Sequence, residues 1–294
     1  MEELKFIDNL QRKNMPKNKL TFMGIGDDCA VLEYNKNEYI LWASDMLISG
    51  THFNLGKDNL EGIGHKAIAV NISDITAMGG KAKCVLVSIG IPKNFTINKI
   101  NKIYKGINKL CNKYGIDVVG GDTNKSHHLV IDVSIIGIAK KENLVLRNGA
   151  KKGDVIFVTG PIRNGKKEHL SFLPRTIEAE ILIGKYKVNS MIDTSDGLAL
   201  DLSRICSASK KGALIYEDYL PLPRGLTVED ALYYGESFEL LFTMGKKEAV
   251  KLIKNKKYNK HFYVIGEITS NGKMHIMDSL KKKRKIEPKG YNHF

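Results

Sequence analysis

The sequence predicts a mixed α/β protein built as two domains, and three observations carry that prediction. Short apolar runs of strand character alternate with longer runs whose apolar residues recur every three or four positions. At 294 residues, 43% of them hydrophobic, the chain can give each of two units a core of ordinary size. Between 144 and 154 the composition turns polar and glycine-containing, through Arg147-Asn148-Gly149-Ala150-Lys151-Lys152-Gly153, which marks a boundary near residue 142. The units are expected at 1–141 and 142–294.

In the first unit, Ala30 to Leu32 and Tyr39 to Ala43 alternate as strands and are expected to deliver Asp28 and Asp45 to one end of a sheet. A helix follows from about Asp58, its expected N-cap, to Met78, where Gly79-Gly80 ends it. Its second half, Ala67 to Met78, is apolar nearly all round, which predicts burial on more than one side. Asn71 and Asp74 share a face there, and a buried carboxylate without a partner is costly, so Asp74 must meet a metal, a base or a dense set of donors. Cys84 to Ile91 reads as a continuous apolar strand. The helix after it, capped by Thr96 and ended by Gly115, keeps Ile97, Ile100, Ile103, Ile107 and Leu110 on one stripe, a scaffold feature. Ile116 to Val119 and Leu129 to Ala139 are strands, the first running into Gly120-Gly121-Asp122-Thr123, where glycines let backbone N–H groups approach phosphate.

In the second unit, Val155 to Val158 is a strand, Ile162 to His169 a basic loop, and Thr176 to Tyr186 a helix. Met191-Ile192 runs into Asp193-Thr194-Ser195-Asp196-Gly197 before a helix from Leu198 to Ala208. Two carboxylates three residues apart at such a junction can hold a cation, and Ser195 and Asp196 can equally be N-cap residues. Ala213 to Tyr216, Phe238 to Thr243, Phe262 to Gly266 and Met274 to Ile276 complete a mixed sheet, with a lysine-rich helix near Lys246 to Lys254.

Several classes are excluded. No run approaches the ~18 apolar residues of a membrane span, and Met1 to Asn14 lacks the apolar centre of a signal peptide, so a cytoplasmic protein is expected. Cys29, Cys84, Cys111 and Cys206 stand singly, which argues against disulfides and zinc. The net charge of +14 and the run Lys281-Lys282-Lys283-Arg284-Lys285 would suit nucleic acid, but lysines are spread along the chain and no aromatic-basic interleaving marks a base-stacking surface. A general lysine excess also serves solubility or steers small polyanions. There is no Gly-x-x-x-x-Gly-Lys-Ser/Thr loop, no Gly-x-Gly-x-x-Gly loop and no His-Glu-x-x-His.

What remains is an array of aspartates beside apolar runs: Gly26-Asp27-Asp28, Ser44-Asp45, Ser73-Asp74, Gly121-Asp122 and Asp193-Thr194-Ser195-Asp196. One Gly-Asp pair is an ordinary turn or cap. Five acidic motifs together point to a hard divalent cation such as Mg²⁺, which takes carboxylate oxygens and leaves positions for water and phosphate.

The order of these motifs carries a resemblance. Gly24-Ile25-Gly26-Asp27-Asp28-Cys29-Ala30-Val31-Leu32, Ser44-Asp45-Met46-Leu47, His52-Phe53, and Lys66-Ala67 with Ala69-Val70-Asn71-Ile72-Ser73-Asp74 resemble the thiamine-monophosphate kinase family of the aminoimidazole ribonucleotide synthetase-like superfamily. Gly120-Gly121-Asp122-Thr123, Arg147-Asn148-Gly149-Ala150, Asp193-Thr194-Ser195-Asp196-Gly197-Leu198, Gly235-Glu236, Glu239-Leu240 and Lys289-Gly290-Tyr291-Asn292-His293-Phe294 continue it in the same order, so it spans essentially the whole chain. The resemblance implies the two-domain fold of that superfamily, with a sheet and packed helices in the N-terminal domain and a mixed α/β C-terminal domain. It implies ATP-dependent transfer of the γ-phosphoryl group to thiamine monophosphate, with several Mg²⁺ ions, in a homodimer whose sites lie near the subunit interface. The acceptor is already a phosphate oxygen, so alignment and charge neutralisation suffice and no dedicated catalytic base is needed.

By position the resemblance implies Asp28, Ser44, Asp45, Asp74, Asp122, Asp193 and Asp196 as metal ligands, with Asp27 unassigned. Gly121, Asp122, Arg147 and Ser195 fall on the ATP side, Arg147 through its fixed fork of donors. His52, Glu236 and Tyr291 fall on the substrate side, where Tyr291 can stack on a ring and Glu236 can pair with an amine or a cationic ring. A histidine held by a backbone partner is the plain alternative for His52. The chain departs from the family's Gly-Gly-Glu-Asp-Tyr-Glu-Leu with Tyr234-Gly235-Glu236-Ser237-Phe238-Glu239-Leu240, has Ala43 where a hydroxyl residue often stands, and is short between Gly160 and Asn189. Two other readings stay open: another ATP-dependent enzyme of the superfamily, and a catalytically silent Mg-nucleotide-binding protein. Cys29 directly after the aspartate pair, and Phe294 at the end, argue against the selenide and hydrogenase-maturation branches, which would want a reactive cysteine near one terminus.

Overall fold

The computed structural model describes residues 2–162 and 168–292. Part of the expected basic loop from Ile162 to His169, and the final His293 and Phe294, lie outside the described residues.

The first sheet is made by β1 (Thr21–Met23), β2 (Ala30–Glu33), β3 (Glu38–Ile48), β4 (Lys81–Pro92), β5 (Asp117–Gly120), β6 (Thr123–Ser126) and β7 (Val130–Lys140). Its order is β1-β2-β3-β7-β4-β5, with β6 continuing beside β4; β5 and β6 run parallel to β4 and every other pair is antiparallel. The helices α2 (Leu60–Ala77) and α3 (Ile97–Tyr114) cover one face, whereas α1 (Glu2–Lys13) lies ahead of β1. Alternation along β3 explains the arrangement: Leu41, Ala43 and Leu47 turn into the core, while Trp42, Ser44 and Met46 turn to the exposed face. The two helices cross closely because glycine stands on both sides, Gly64 against the Ile103 carbonyl and Gly106 against the Glu61 carbonyl, where an added methyl would fall 2.0 and 1.9 Å from the oxygens. The N-cap of α2 is Asn59, whose side chain accepts the Glu61 N–H, rather than Asp58, which instead accepts the Asn54 N–H. Asp45 does not end a strand as expected; β3 runs on through it to Ile48.

The second sheet is made by β8 (Val155–Thr159), β9 (Ser190–Asp193), β10 (Gly212–Tyr216), β11 (Leu240–Met244), β12 (Phe262–Thr269), β13 (Met274–Met277) and β14 (Lys283–Lys285), in the order β14-β13-β10-β12-β8-β11-β9. Its strands are apolar on both faces because both are covered. Ile156, Val158 and Leu241 pack with α5 (Leu198–Ser209) and α6 (Val228–Tyr233), and Phe157 and Phe242 with α4 (Thr176–Lys185) and α7 (Lys246–Lys254). The expected strand from Phe238 begins at Leu240, since Phe238 sits at φ 50°, outside the strand region. The basic run near the end becomes β14, an edge strand whose Arg284 pairs with Glu217 and Glu229; charge on an edge strand discourages pairing with another chain. Among the described residues no helix is long and apolar enough to cross a membrane.

Candidate active site

The two sheets meet where α2 passes the end of β9. Ser73 of α2 donates to Asp193 Oδ2 at 2.6 Å, and next to it Asp74 looks into the same space. The loop before β2 brings a third carboxylate. Oxygens of Asp28, Asp74 and Asp193 lie within 4.8 Å of one another, although the three residues are far apart in sequence. Asp45 hydrogen-bonds to Asp74 and joins the cluster from β3. Burial first, and neighbouring carboxylates second, push Asp74 well above the ordinary carboxyl range. Asp193 moves the same way for the same causes, and Asp45 is pushed up to about 6, chiefly by burial. Burial and mutual repulsion thus disfavour the ionisation of all of them together unless a cation joins them.

The residues present fit such a cation. Asp28 Oδ2 is buried with no hydrogen-bond partner, while its other oxygen is held by Arg147. A buried, unpaired carboxylate oxygen facing two more carboxylates is costly unless something positive fills the gap.

A cleft of about 590 Å³ opens from this cluster. Asp45, Asp74, Asp193, Ser195 and Asp196 line one part, and His52, Lys66, Glu236, Phe238 and Tyr291 another. The acidic loop is clamped from two sides. Thr194 exchanges backbone and hydroxyl bonds with Glu239, Ser195 O accepts the Glu236 N–H at 2.7 Å, and Asp196 O accepts the Tyr291 N–H at 2.9 Å. Gly235 is required in that clamp, because a methyl there would stand 2.4 Å from the Ser195 carbonyl oxygen. Glu239 is wholly buried, and its carboxylate receives Thr159 Oγ1 at 2.8 Å and the Arg175 guanidinium through two nitrogens. Asp196 is steadied by Arg204, which also binds the buried Asp201; Asp201 in turn accepts the N–H groups of Asp196 and Gly197. The N-cap of α5 is Gly197, so Ser195 and Asp196 are left to face the cleft rather than cap the helix.

The expected site residues are therefore brought together unequally. Asp28, Asp45, Asp74, Asp193, Ser195, Asp196, His52, Glu236 and Tyr291 converge on the cluster or its cleft. Ser44 does not: it points to the opposite face of β3 from Asp45 and donates to Asp132 at 3.2 Å. Gly121 and Asp122 do not either, which corrects the expectation that Asp122 gathers with Asp28, Asp45 and Asp74 within one chain. Both are exposed, and the Asp122 carboxylate is taken by Thr123 N and Asn124 Nδ2 at the start of β6. Arg147 stands behind the cluster, paired with Asp28 and beside Asp27, rather than in the cleft. Asp27 has a scaffold place, its oxygens accepting the N–H groups of Asp28 and Arg147, and burial raises its carboxyl to about 7. His52 Nδ1 accepts the Ile48 N–H at 3.0 Å, the backbone partner of the plain alternative, and the residue also lines the cleft. Phe238, where the family pattern has tyrosine, needs no hydroxyl because its ring is buried and stacked on Phe172 at 4.2 Å.

Lys66, Arg175, Arg204 and His169 were not anticipated. For Lys66 a signal was present, since a lysine amid Ile63, Ala67, Ile68 and Ala69 must find a buried partner. The others act across long sequence separations with no local pattern.

Comparison with known proteins agrees with this geometry. Residues 26–139 match the model of the AIR synthase related protein N-terminal domain, and 163–279 that of the C-terminal domain. The thiamine-monophosphate kinase of Buchnera aphidicola subsp. Acyrthosiphon pisum is 35% identical, over 99% of this chain and 98% of its own length. That of Bacillus subtilis is 33% identical over all of both chains. The solved structure of AaThiL complexed with AMPPCP and TMP superposes with a TM-score of 0.85 at 31% identity, covering 99% of this chain and 97% of that one. With both domain models matched and relatives a third identical from end to end, the chain belongs to the thiamine-monophosphate kinase family of AIR synthase related proteins.

Proposed function

We propose that the protein transfers the γ-phosphoryl group of ATP to thiamine monophosphate, giving thiamine diphosphate and ADP. The observation that carries the reading is the single cleft with two characters: a carboxylate cluster with an unpaired buried oxygen at one part, and His52, Glu236 and Tyr291 at another. Asp28, Asp45, Asp74, Asp193 and Asp196 would hold Mg²⁺, which when bound neutralises phosphate charge and aligns the two reacting groups. Ser195 serves the nucleotide from the cleft wall, and Arg147 serves it from behind by holding the Asp28 carboxylate in place. Tyr291 offers a ring face and Glu236 an acceptor for the thiamine heterocycles. The division between the two units is set at residue 142, and the cytoplasm is the compartment, for which four free cysteines are the support. The test is direct: protein, ATP, Mg²⁺ and thiamine monophosphate should yield thiamine diphosphate together with ADP, and nucleotide binding without product would sink the reading.

The same reading includes a homodimer. Trp42, Met46, Leu86 and Val119 are 47, 50, 44 and 59% exposed beside one another on the open face of the first sheet, an apolar surface that a second copy would cover. Ser44 lies on that face, and Asp122 adjoins it through its bond to the Ile89 N–H. Ser44, Gly121 and Asp122 are accordingly assigned to the neighbouring subunit's nucleotide site. Mixing Asp122→Ala chains with Asp74→Asn chains, each inactive alone, should then restore about a quarter of wild-type activity after subunit exchange, because half the dimers are mixed and each keeps one intact site. No recovery would assign these residues to their own chain.

Cation binding should also be visible in stability. Carboxyls with raised folded-state values bind protons that the unfolded chain has released, so stability falls as pH rises from about 4 through the folded value, about 6 for Asp45, with Asp74 and Asp193 raised in the same direction. Mg²⁺ replaces those protons. The rise in Tm on adding Mg²⁺ should therefore be small at pH 5 and clearly larger at pH 8, and a rise independent of pH would argue against carboxylate ligation.

A further inference from the structure

Lys66 is 1% exposed in the middle of α2, yet its ammonium reaches three groups from three separate segments. It donates to His52 O at 2.9 Å, to His169 Nδ1 at 3.0 Å and to Glu236 Oε1 at close range. An ammonium carries three N–H donors, and here all three are matched. His52 and Glu236 both line the cleft, and Glu236 holds a left-handed backbone at φ 65°, a conformation that a non-glycine residue keeps only when its surroundings enforce it. The Glu236 side chain is 34% exposed, with Oε1 on Lys66 and Oε2 3.5 Å from His169 Nδ1, so the carboxylate sits at the wall with its inner edge anchored and its outer edge towards the cleft. Burial, with the Lys66 ammonium beside it, lowers the His169 imidazole, which favours the neutral ring that can accept from Lys66.

We infer that Lys66 is a positioning residue of the acceptor pocket: through one buried ammonium it fixes the Glu236 carboxylate and the His52 loop against each other, with His169 as its third anchor. The class of ligand this arrangement selects is an aromatic heterocycle bearing an amine, whose N–H groups meet the free side of a carboxylate that cannot turn away. A carboxylate left to swing would lose that selectivity, since binding would first have to order it. The inference rests on the acceptor reading given above.

The test is a double-mutant cycle with the full-length protein. Lys66→Met and Glu236→Gln are each expected to raise the KM for thiamine monophosphate about 10-fold or more, with kcat and the KM for ATP within about 3-fold of wild type. The double variant should resemble Glu236→Gln alone, because Lys66 acts through that carboxylate. Additive losses, or losses on the ATP side, would overturn the inference, as a merely structural lysine would give them. If Lys66→Met does not fold, the cycle of His169→Ala with Glu236→Gln carries the test with the same expectation. A wild-type protein that neither binds nor phosphorylates thiamine monophosphate would overturn the acceptor reading first and this inference with it, an outcome distinct from additivity in an active enzyme.

Discussion

Replacing Asp74 with asparagine is expected to reduce phosphoryl transfer by about 10³-fold while the metal-free protein unfolds at the same or a higher temperature than wild type. Both halves follow from one geometry. Asp74 lies among Asp28, Asp45 and Asp193, and burial together with these neighbours disfavours its charged form. An amide of nearly the same shape removes like-charge repulsion and keeps a carbonyl oxygen, so the fold loses nothing. What is lost is the charge that a divalent cation requires. Steady-state kinetics beside thermal unfolding in chelator would check both parts, and an Asp74→Asn enzyme of normal activity would show that the cluster does not serve the reaction.

The largest effect on stability is expected at Arg175. Its guanidinium grips Glu239, a carboxylate with no exposed surface, and Arg175→Met would leave that carboxylate buried with only the Thr159 hydroxyl. Breaking a buried pair from one side costs about 3 kcal/mol or more. Burial already lifts Glu239 to about 7 even with its partner, so the variant's carboxyl will hold its proton to higher pH still. Because the wild-type carboxyl already holds its proton up to about 7, the deficit against wild type should be nearly level between pH 5 and that value and then grow by at most about 1.4 kcal/mol by pH 8. Chemical denaturation at both pH values measures it. The double variant Arg175→Met with Glu239→Leu should recover much of the loss, since an apolar pair leaves no charge unpaired.

Much of this site could be read from the chain, and the parts that could not share a physical cause. Asp28, Asp45, Asp74, Asp193 and Asp196 stand beside apolar runs, so local patterning is enough to send them to element ends and buried faces. Ser44 needed only the two-residue period: once β3 is known to run to Ile48, Ser44 and Asp45 must face opposite ways. Asp122 depended on the order of strands across the sheet, which no local signal carries. Thr-Asn-Lys-Ser has no apolar pattern at all, and β6 exists because β4 offers it hydrogen bonds. The start of the short helix α6 is spelled out locally, because Thr227 and Asp230 form a capping box. Arg175 and Glu239 are 64 residues apart, and neither announces the other.

The seam between Ser73 and Asp193 has one more consequence. Four carboxylates that resist ionising together sit where the two sheets touch, while each sheet keeps an apolar core of its own. Like-charge repulsion is thus concentrated at the wall of the cleft, where a cation would relieve it. Apolar contacts hold the sheets together against that repulsion, since Leu170 and Phe172 pack on the first core and Ala77 of α2 joins the cluster of Phe157 and Phe242. A cation bound among the four carboxylates would therefore also tie one sheet to the other, so that filling the site would tighten the seam.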